Sequence, residues 1–273
     1  MATLQVTLLG CGKMGGSMLK GWLADPGLYA HFTIIEPYAE HLDWAGAHEE
    51  VAIYSDCDSA IAAGVPASAV IVLAVKPQMM DEAIAAVGSL RDEKTAFLTI
   101  AAGISTSWLK ARVGAHTPVL RAMPNTPAAI GRGVTALYCD SASANLEALG
   151  TQLLRAIGVV VPIDDEVLMD AVTAVSGSGP AYVFLLAEAM IAAGVTAGLP
   201  AALAKQLAEA TVTGAGALIE AEDEQPSTLR ENVTSKGGTT AAALEVLMAA
   251  DGLPSLMERA VQAAKKRSVE LGA

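Results

Sequence analysis

Up to Ile163 the chain alternates two textures. Short apolar runs rich in β-branched residues (Val6–Leu9, Phe32–Ile35, Val70–Val75, Ala96–Ile100, Pro118–Arg121 and Val159–Ile163) are mostly separated by Ala-rich stretches of helix length. Runs of that kind predict strands, and their alternation with helices predicts βαβ units around a mostly parallel sheet. After Asp164 the strand runs stop. Asp164–Val175, Ala181–Val195, Ala201–Glu220, Thr239–Ala250 and Leu253–Leu271 read as helices. Pro180, Pro200, Pro226 and Pro254 fall near their starts, where a helix has no use for the missing N–H. The expected architecture is therefore α/β over residues 1–163, followed by an all-helical domain over residues 164–273.

Composition narrows what such a chain does. Hydrophobic residues make up 53% and charged residues 17%, which excludes a disordered linker. The apolar mass is small in size, with 54 Ala and 25 Gly against 4% aromatics, as closely packed helices and tight turns require. A formal charge of −12 argues against a nucleic-acid-tracking surface. The one basic cluster, Lys265, Lys266 and Arg267, reads as cations closing a last helix against its dipole. Cys11, Cys57 and Cys139 show no CxxC spacing, and His31, His41, His48 and His116 are scattered. Free thiols of a reducing compartment are expected, with no metal site. Ala181–Val195 is interrupted by Glu188 and ends in a glycine-containing stretch, so it reads as buried oligomer core, too short and too charged to cross a bilayer. With no export segment read at the start, a cytoplasmic protein without membrane or nucleic-acid partners is expected.

Gly10-Cys11-Gly12-Lys13-Met14-Gly15 follows a strand run ending at Leu9 and opens a helical stretch. In that context GxGxxG has a mechanism. The first glycine permits the turn, the second lets the backbone approach a pyrophosphate, the third lets helix pack on strand, and the helix N-terminus offers N–H groups. Glu36 stands twenty-one residues beyond Gly15, at the end of the second strand run, where a carboxylate can accept adenosine ribose hydroxyls. The apolar run at 70–75 stops at Lys76-Pro77, and Pro77 holds Lys76 extended. Ala101-Ala102-Gly103 and Met123-Pro124-Asn125-Thr126-Pro127 are further strand exits expected on the same rim, with Asn125 offering an amide to a nicotinamide or its ribose.

Two polar, glycine-rich interruptions mark the helical half. One is Ser176-Gly177-Ser178-Gly179-Pro180-Ala181-Tyr182; the other is Asn232-Val233-Thr234-Ser235-Lys236-Gly237-Gly238-Thr239-Thr240. Each reads either as a helix cap, with Ser178 at an N-cap, or as a gathering of N–H groups and hydroxyls around a small carboxylate. No GxSxG elbow or Cys–His pair points to acyl chemistry. Hydroxyls and backbone suit hydride transfer, in which the cofactor carries the chemistry.

These motifs together resemble the Δ1-pyrroline-5-carboxylate reductases. The resemblance runs from Gly10–Gly15 through Ala74–Pro77, Ala101–Gly103 and Met123–Pro127 to Ser176–Tyr182 and Asn232–Thr240, nearly the whole chain. It implies a Rossmann-like first domain and a helical second domain that interlocks with a partner into a homodimer; some members assemble their dimers into a decamer. It implies reduction of the ring C=N of (S)-1-pyrroline-5-carboxylate to L-proline by NADH or NADPH. Carried over by motif, Val233, Thr234, Ser235, Gly237, Gly238 and Thr239 would hold the substrate with Ser176 and Ser178, and Thr240 would place its hydroxyl at the imine nitrogen. Leu9, Gly10, Cys11, Gly12, Lys13, Met14, Gly15, Glu36, Val75, Lys76, Pro77, Ala101, Ala102 and Asn125 would line the dinucleotide. The chain departs from the family at Lys236, where proline is usual, and at Cys57, where many members carry asparagine.

Two rival readings share parts of this pattern. A β-hydroxyacid-type dehydrogenase needs a catalytic lysine on a helix of the second domain, and Lys205 lacks the glycine-asparagine context for it. A non-catalytic NAD(P)H-binding protein would bind the nucleotide without turnover. On cofactor choice, no Lys or Arg occurs from Gly21 to Val75, and Glu36 is followed by Pro37, which has no N–H to give. A 2′-phosphate needs cations or donors there, so NADH is the expected donor.

Overall fold

The apolar runs become strands because the middle of the sheet is covered on both faces. In the computed structural model, which describes residues 3–272, eight strands form one sheet. They are β1 Leu4–Leu9, β2 Ala30–Ile35, β3 Val51–Tyr54, β4 Val70–Leu73, β5 Ala96–Thr99, β6 Val119–Met123, β7 Gly133–Cys139 and β8 Gly158–Ile163. All four residues of β4 and of β5 are buried. Alternate residues feed two cores: Val70, Val72 and Leu98 pack with Val6, Leu8, Trp22 and Phe32 on one face, while Ile71, Leu73 and Phe97 pack with Leu9, Ile35, Met80 and Leu109 on the other. Trp22 stacks on Phe32 at 5.2 Å and donates its indole N–H to the Leu153 carbonyl at 2.7 Å.

The strand order is β3-β2-β1-β4-β5-β6-β7-β8. Every pairing is parallel except that of β6 with β7. The chain runs outward from β1 to β3, then returns to β4 on the other side of β1. That reversal opens a crevice at the carboxyl ends of β1 and β4, where doubly wound sheets take ligands. Helices α1 Lys13–Ala24, α2 Cys57–Ala62, α3 Met80–Ala86, α4 Thr106–Val113 and α5 Glu147–Arg155 connect or flank the strands.

After β8 come α6 Met169–Val172, a π-helical turn at Thr173–Gly177, α7 Gly179–Thr196, α8 Ala201–Ala221, α9 Pro226–Asn232, α10 Thr239–Leu247 and α11 Leu253–Leu271. The α/β and all-helical halves stand as expected. Strands β3 and β7 were not legible in the pattern, being short or opening on glycine, and of helix α9 only the start was marked, by Pro226. The compact units also divide later than the change of texture at residue 163. One unit runs to Gly177 and takes back the residues from Lys265 onward; the other is Ser178–Ala264. Glu166 explains the later division: its carboxylate accepts from the Thr106 N–H at 2.8 Å and from the buried Arg121 at 2.8 Å, tying the first helical residues to the sheet.

The second unit has little core of its own. Within it α7 packs on α8 through small residues, a Cβ on Gly194 lying 3.2 Å from the Ala204 Cβ. No residue of α7 is buried in the single chain, and Phe184 and Leu185 are 66% and 63% exposed. One helical stretch, Glu166–Thr196, is long and apolar enough by length and composition to cross a membrane. The expectation of a segment too short and too charged is corrected here: the π-turn at Thr173–Gly177 continues the helix where serine and glycine suggested a break.

Candidate active site

The glycine turn between β1 and α1 has the geometry the motif predicts. Gly10 takes φ +87°, in the left-handed region that favours glycine, and a Cβ there would lie 3.0 Å from Val75 and 3.1 Å from the Ala74 carbonyl. A Cβ on Gly15 would fall 2.3 Å from the Gly10 carbonyl oxygen, so this helix turn lies directly on the loop. Gly12, by contrast, faces open space and caps α1 without any side-chain hydrogen bond. The first bond of the helix runs from Gly16 N to Gly12 O at 2.8 Å, so helix geometry gives the N–H groups of Lys13, Met14 and Gly15 no carbonyl within α1. Open space in front of uncapped N–H groups at a positive helix end fits a pyrophosphate. Leu9 and Cys11 are buried behind the turn, Met14 is half-buried and Lys13 is exposed.

Glu36 faces this turn. Its Oε2 accepts from the Cys11 N–H at 2.7 Å and its Oε1 from the Tyr38 N–H at 3.2 Å. On the other side of the same residue, the Cys11 carbonyl bonds to His41 Nε2 at 2.9 Å. His41 lies on the 3-10 turn Ala39–Leu42 after β2 and was not singled out by the sequence, since a histidine thirty residues from a glycine turn carries no signal of contact with it. Burial, reinforced by the Glu36 carboxylate, pushes the Cys11 thiol up to about 12, so it stays protonated.

The other strand exits share the carboxyl rim, because β1, β4, β5 and β6 are parallel. Val75 packs near Gly10, and Lys76 is extended (φ −63°, ψ 148°) before the turn opened by Pro77. Ala101 is buried and its N–H donates to the Thr99 hydroxyl at 3.2 Å, with Ala102 half-buried beside it. Asn125 is more committed than expected. Its Oδ1 accepts from the Val134 N–H at 2.9 Å, and its Nδ2 lies 3.5 Å from the Ser176 hydroxyl. The residue thus ties the exit of β6 to β7 and to the π-turn. Asp56, beside Cys57, is the N-cap of α2, accepting from the Ser59 N–H and the Ser55 hydroxyl; Cys57 itself is buried.

In the second unit, Ser178 stands at the N-cap of α7, as the cap reading expected, but with helical angles and without a side-chain capping bond; its carbonyl accepts from the Ala181 N–H at 3.0 Å. The segment from Val233 to Thr240 forms a tight turn: Gly237 takes φ +72°, and the Gly238 N–H donates to the Ser235 carbonyl at 3.0 Å. A Cβ on Gly238 would fall 2.4 Å from the Ser235 hydroxyl. Gly238 caps α10 without a side-chain bond, and the first helical bond, Ala242 N to Gly238 O, leaves the N–H groups of Thr239, Thr240 and Ala241 without partners in the helix. The Thr234 hydroxyl donates to the Arg230 carbonyl at 2.6 Å, so its proton is already used. Val233 and Lys236 are exposed, and Thr240 is half-buried. The dinucleotide candidates and Ser176 thus lie in the first compact unit, and Ser178 and the residues from Val233 to Thr240 in the second.

Comparison with known proteins is consistent along the chain. Residues 166–271 match a family model described as pyrroline-5-carboxylate reductase dimerisation, and residues 5–103 match one described as NADP oxidoreductase, coenzyme F420-dependent. A pyrroline-5-carboxylate reductase of Pseudomonas aeruginosa is 40% identical over 99% of this chain and 98% of its own length. The solved structure of such a reductase from Coxiella burnetii superposes with a TM-score of 0.89 at 30% identity over the whole of both chains. A Plasmodium falciparum pyrroline carboxylate reductase solved with NADP bound gives 0.82 at 25% identity, again over the whole of both chains.

Proposed function

The chain belongs to the pyrroline-5-carboxylate reductase family and reduces the ring C=N of (S)-1-pyrroline-5-carboxylate to L-proline with a nicotinamide dinucleotide, and we propose that NADH is its preferred donor. The observation that carries the preference is the inward Glu36 carboxylate, bonded to Cys11 N–H at 2.7 Å. A carboxylate at this place accepts ribose hydroxyls and repels a ribose 2′-phosphate. Pro37 has no N–H, and the next one, on Tyr38, is already spent on Glu36. The uncapped start of α1 and the open face of Gly12 hold the pyrophosphate.

The dinucleotide supplies the hydride; the chain positions and polarises. The turn from Val233 to Thr240 receives the substrate carboxylate through the N–H groups at the start of α10 and the Ser235 hydroxyl, with Thr234 acting only as a brace for α9. Thr240 donates a hydrogen bond to the imine nitrogen, which gains a proton as hydride reaches the ring carbon. Lys236 adds a cation to this turn. The bare faces of α7 and α10 are covered in a homodimer, which accounts for the apolar stretch Glu166–Thr196 without a membrane. Three free thiols, two of them buried, suit the cytoplasm. Lys205 does not serve the hydroxyacid dehydrogenase reading: it is exposed on α8, 3.8 Å from Glu209 in an i,i+4 pair.

Steady-state kinetics with both cofactors tests the preference. The expected kcat/KM is about tenfold higher with NADH, and Glu36→Ser combined with Pro37→Arg moves the ratio toward NADPH. A clear NADPH preference in the unmodified protein defeats this cofactor reading and leaves the reductase assignment standing.

A further inference from the structure

Cys11 is gripped on both sides by groups from the segment after β2. Glu36 takes its N–H at 2.7 Å, and His41 Nε2 meets its carbonyl at 2.9 Å. A carbonyl oxygen has no proton to give, so Nε2 carries the hydrogen in either charge state and Nδ1 is the nitrogen that titrates. The charged groups around the ring are Glu36 at the end of β2 and Glu40 on its own turn, while Lys20 on α1 acts on the neighbouring Cys11. Lys20 lies over the Trp44 ring at 5.0 Å, and the buried Cys11 thiol stays neutral. The hydrogen bond to the Cys11 carbonyl raises the His41 pKa from its ordinary value; desolvation works against it, and a second hydrogen bond to the Tyr38 backbone and the two carboxylates add to the rise.

Residues 21–75 contain no Lys or Arg, so histidine is the one cationic side chain this segment carries itself. His31 lies on β2, and His48 pairs with Glu50 at 3.9 Å; His41 is the one bonded to the glycine turn. Resting on the dinucleotide reading above, we propose that His41 is a specificity-determining residue: as an imidazolium fixed to the glycine turn beside Glu36, it offsets that carboxylate's repulsion of a ribose 2′-phosphate, so that discrimination against NADPH relaxes in acid. With the ring charged, Glu36 and His41 present no net charge to the phosphate; with the ring neutral they present one negative charge. The phosphate's own second ionisation, near pH ~6, acts in the same direction. A variant without a titrating ring separates the two.

The test is calorimetric titration of the full-length protein with NAD+ and with NADP+ at about pH 6 and about pH 8. Between these, the affinity for NADP+ relative to NAD+ falls about fivefold more in the unmodified protein than in His41→Gln, whose amide keeps a donor for the Cys11 carbonyl. Repeating the NADP+ titration in buffers of different ionisation enthalpy reads proton uptake. An excess uptake over NAD+ is expected near neutrality, and in His41→Gln it falls to the part that the phosphate itself contributes. Equal pH dependence and equal uptake in the two proteins overturn the role of His41 and leave the cofactor reading intact; failure of both nucleotides to bind overturns both. Should His41→Gln not fold, the His41 ring resonances of the unmodified protein decide: NADP+ raises their titration midpoint, and an unmoved midpoint overturns the inference.

Discussion

The chain builds one device twice, at the start of α1 and at the start of α10. Both helices open on a glycine cap with no side-chain hydrogen bond, and both follow a glycine held at positive φ, Gly10 and Gly237. They differ in what holds them. Helix α1 buries Gly15, Met18, Leu19 and Trp22 against the sheet, whereas α10 buries no residue within its own chain. The first turn is therefore held by intrachain packing, whereas the second has no buried residue of its own helix behind it. An anion site made of backbone N–H groups needs such a backing in either case, because its dipoles stabilise charge only when fixed in direction.

The sharpest way to break the comparison is to deny the second unit its partner. Leu185→Asp puts a carboxylate on the bare face of α7, at a cost on the order of 3 kcal/mol or more if it is buried unpaired. Light scattering should then report monomers, with reductase activity lost and NAD+ binding by the first unit retained. A dimer with unchanged melting temperature would show that α7 is not the covered face. Next in size is Thr240→Ala, which removes one hydrogen bond worth about 2–4 kcal/mol in the transition state. Turnover should fall accordingly while the Kd for NADH changes little, and wild-type turnover would remove Thr240 from the chemistry.

The two glycine turns can then be compared directly. In Gly15→Ala the new Cβ meets the backbone oxygen of Gly10 at 2.3 Å, and backbone held at the end of β1 cannot step aside as a side chain can. In Gly238→Ala it meets the Ser235 hydroxyl at 2.4 Å, the end of a side chain that can rotate. Thermal or denaturant unfolding should show a loss of about 2–3 kcal/mol for the first and about 1 kcal/mol for the second. The reverse order would mean that α10 is the more rigid site. The smallest effect concerns the thiols, all in the first unit. Burial is the first cause that pushes Cys11 up to about 12 and Cys57 and Cys139 up to about 11. Only the thiolate alkylates, so iodoacetamide at about pH 8 should leave all three unmodified by mass spectrometry until the unit unfolds.

What the sequence alone determined is local. GxGxxG fixed a turn because only glycine reaches φ +87° at Gly10 without strain and only glycine fits at Gly15. The apolar runs β4 and β5 announced burial on both faces, and the segment Asn232–Thr240 announced an unusual helix start. The tertiary structure decided everything that needed a partner distant in the chain. It placed β3 at one edge and β7 antiparallel inside the other half, although neither Val51–Tyr54 nor the glycine-led Gly133–Cys139 stood out as a strand. It spent the Asn125 side-chain amide oxygen on the Val134 N–H, turned Glu36 inward to Cys11, and set His41 on that same residue. Periodicity reports which face of an element is buried; it carries no record of which neighbour a polar atom will meet. Such neighbours are chosen only when strands align and loops close.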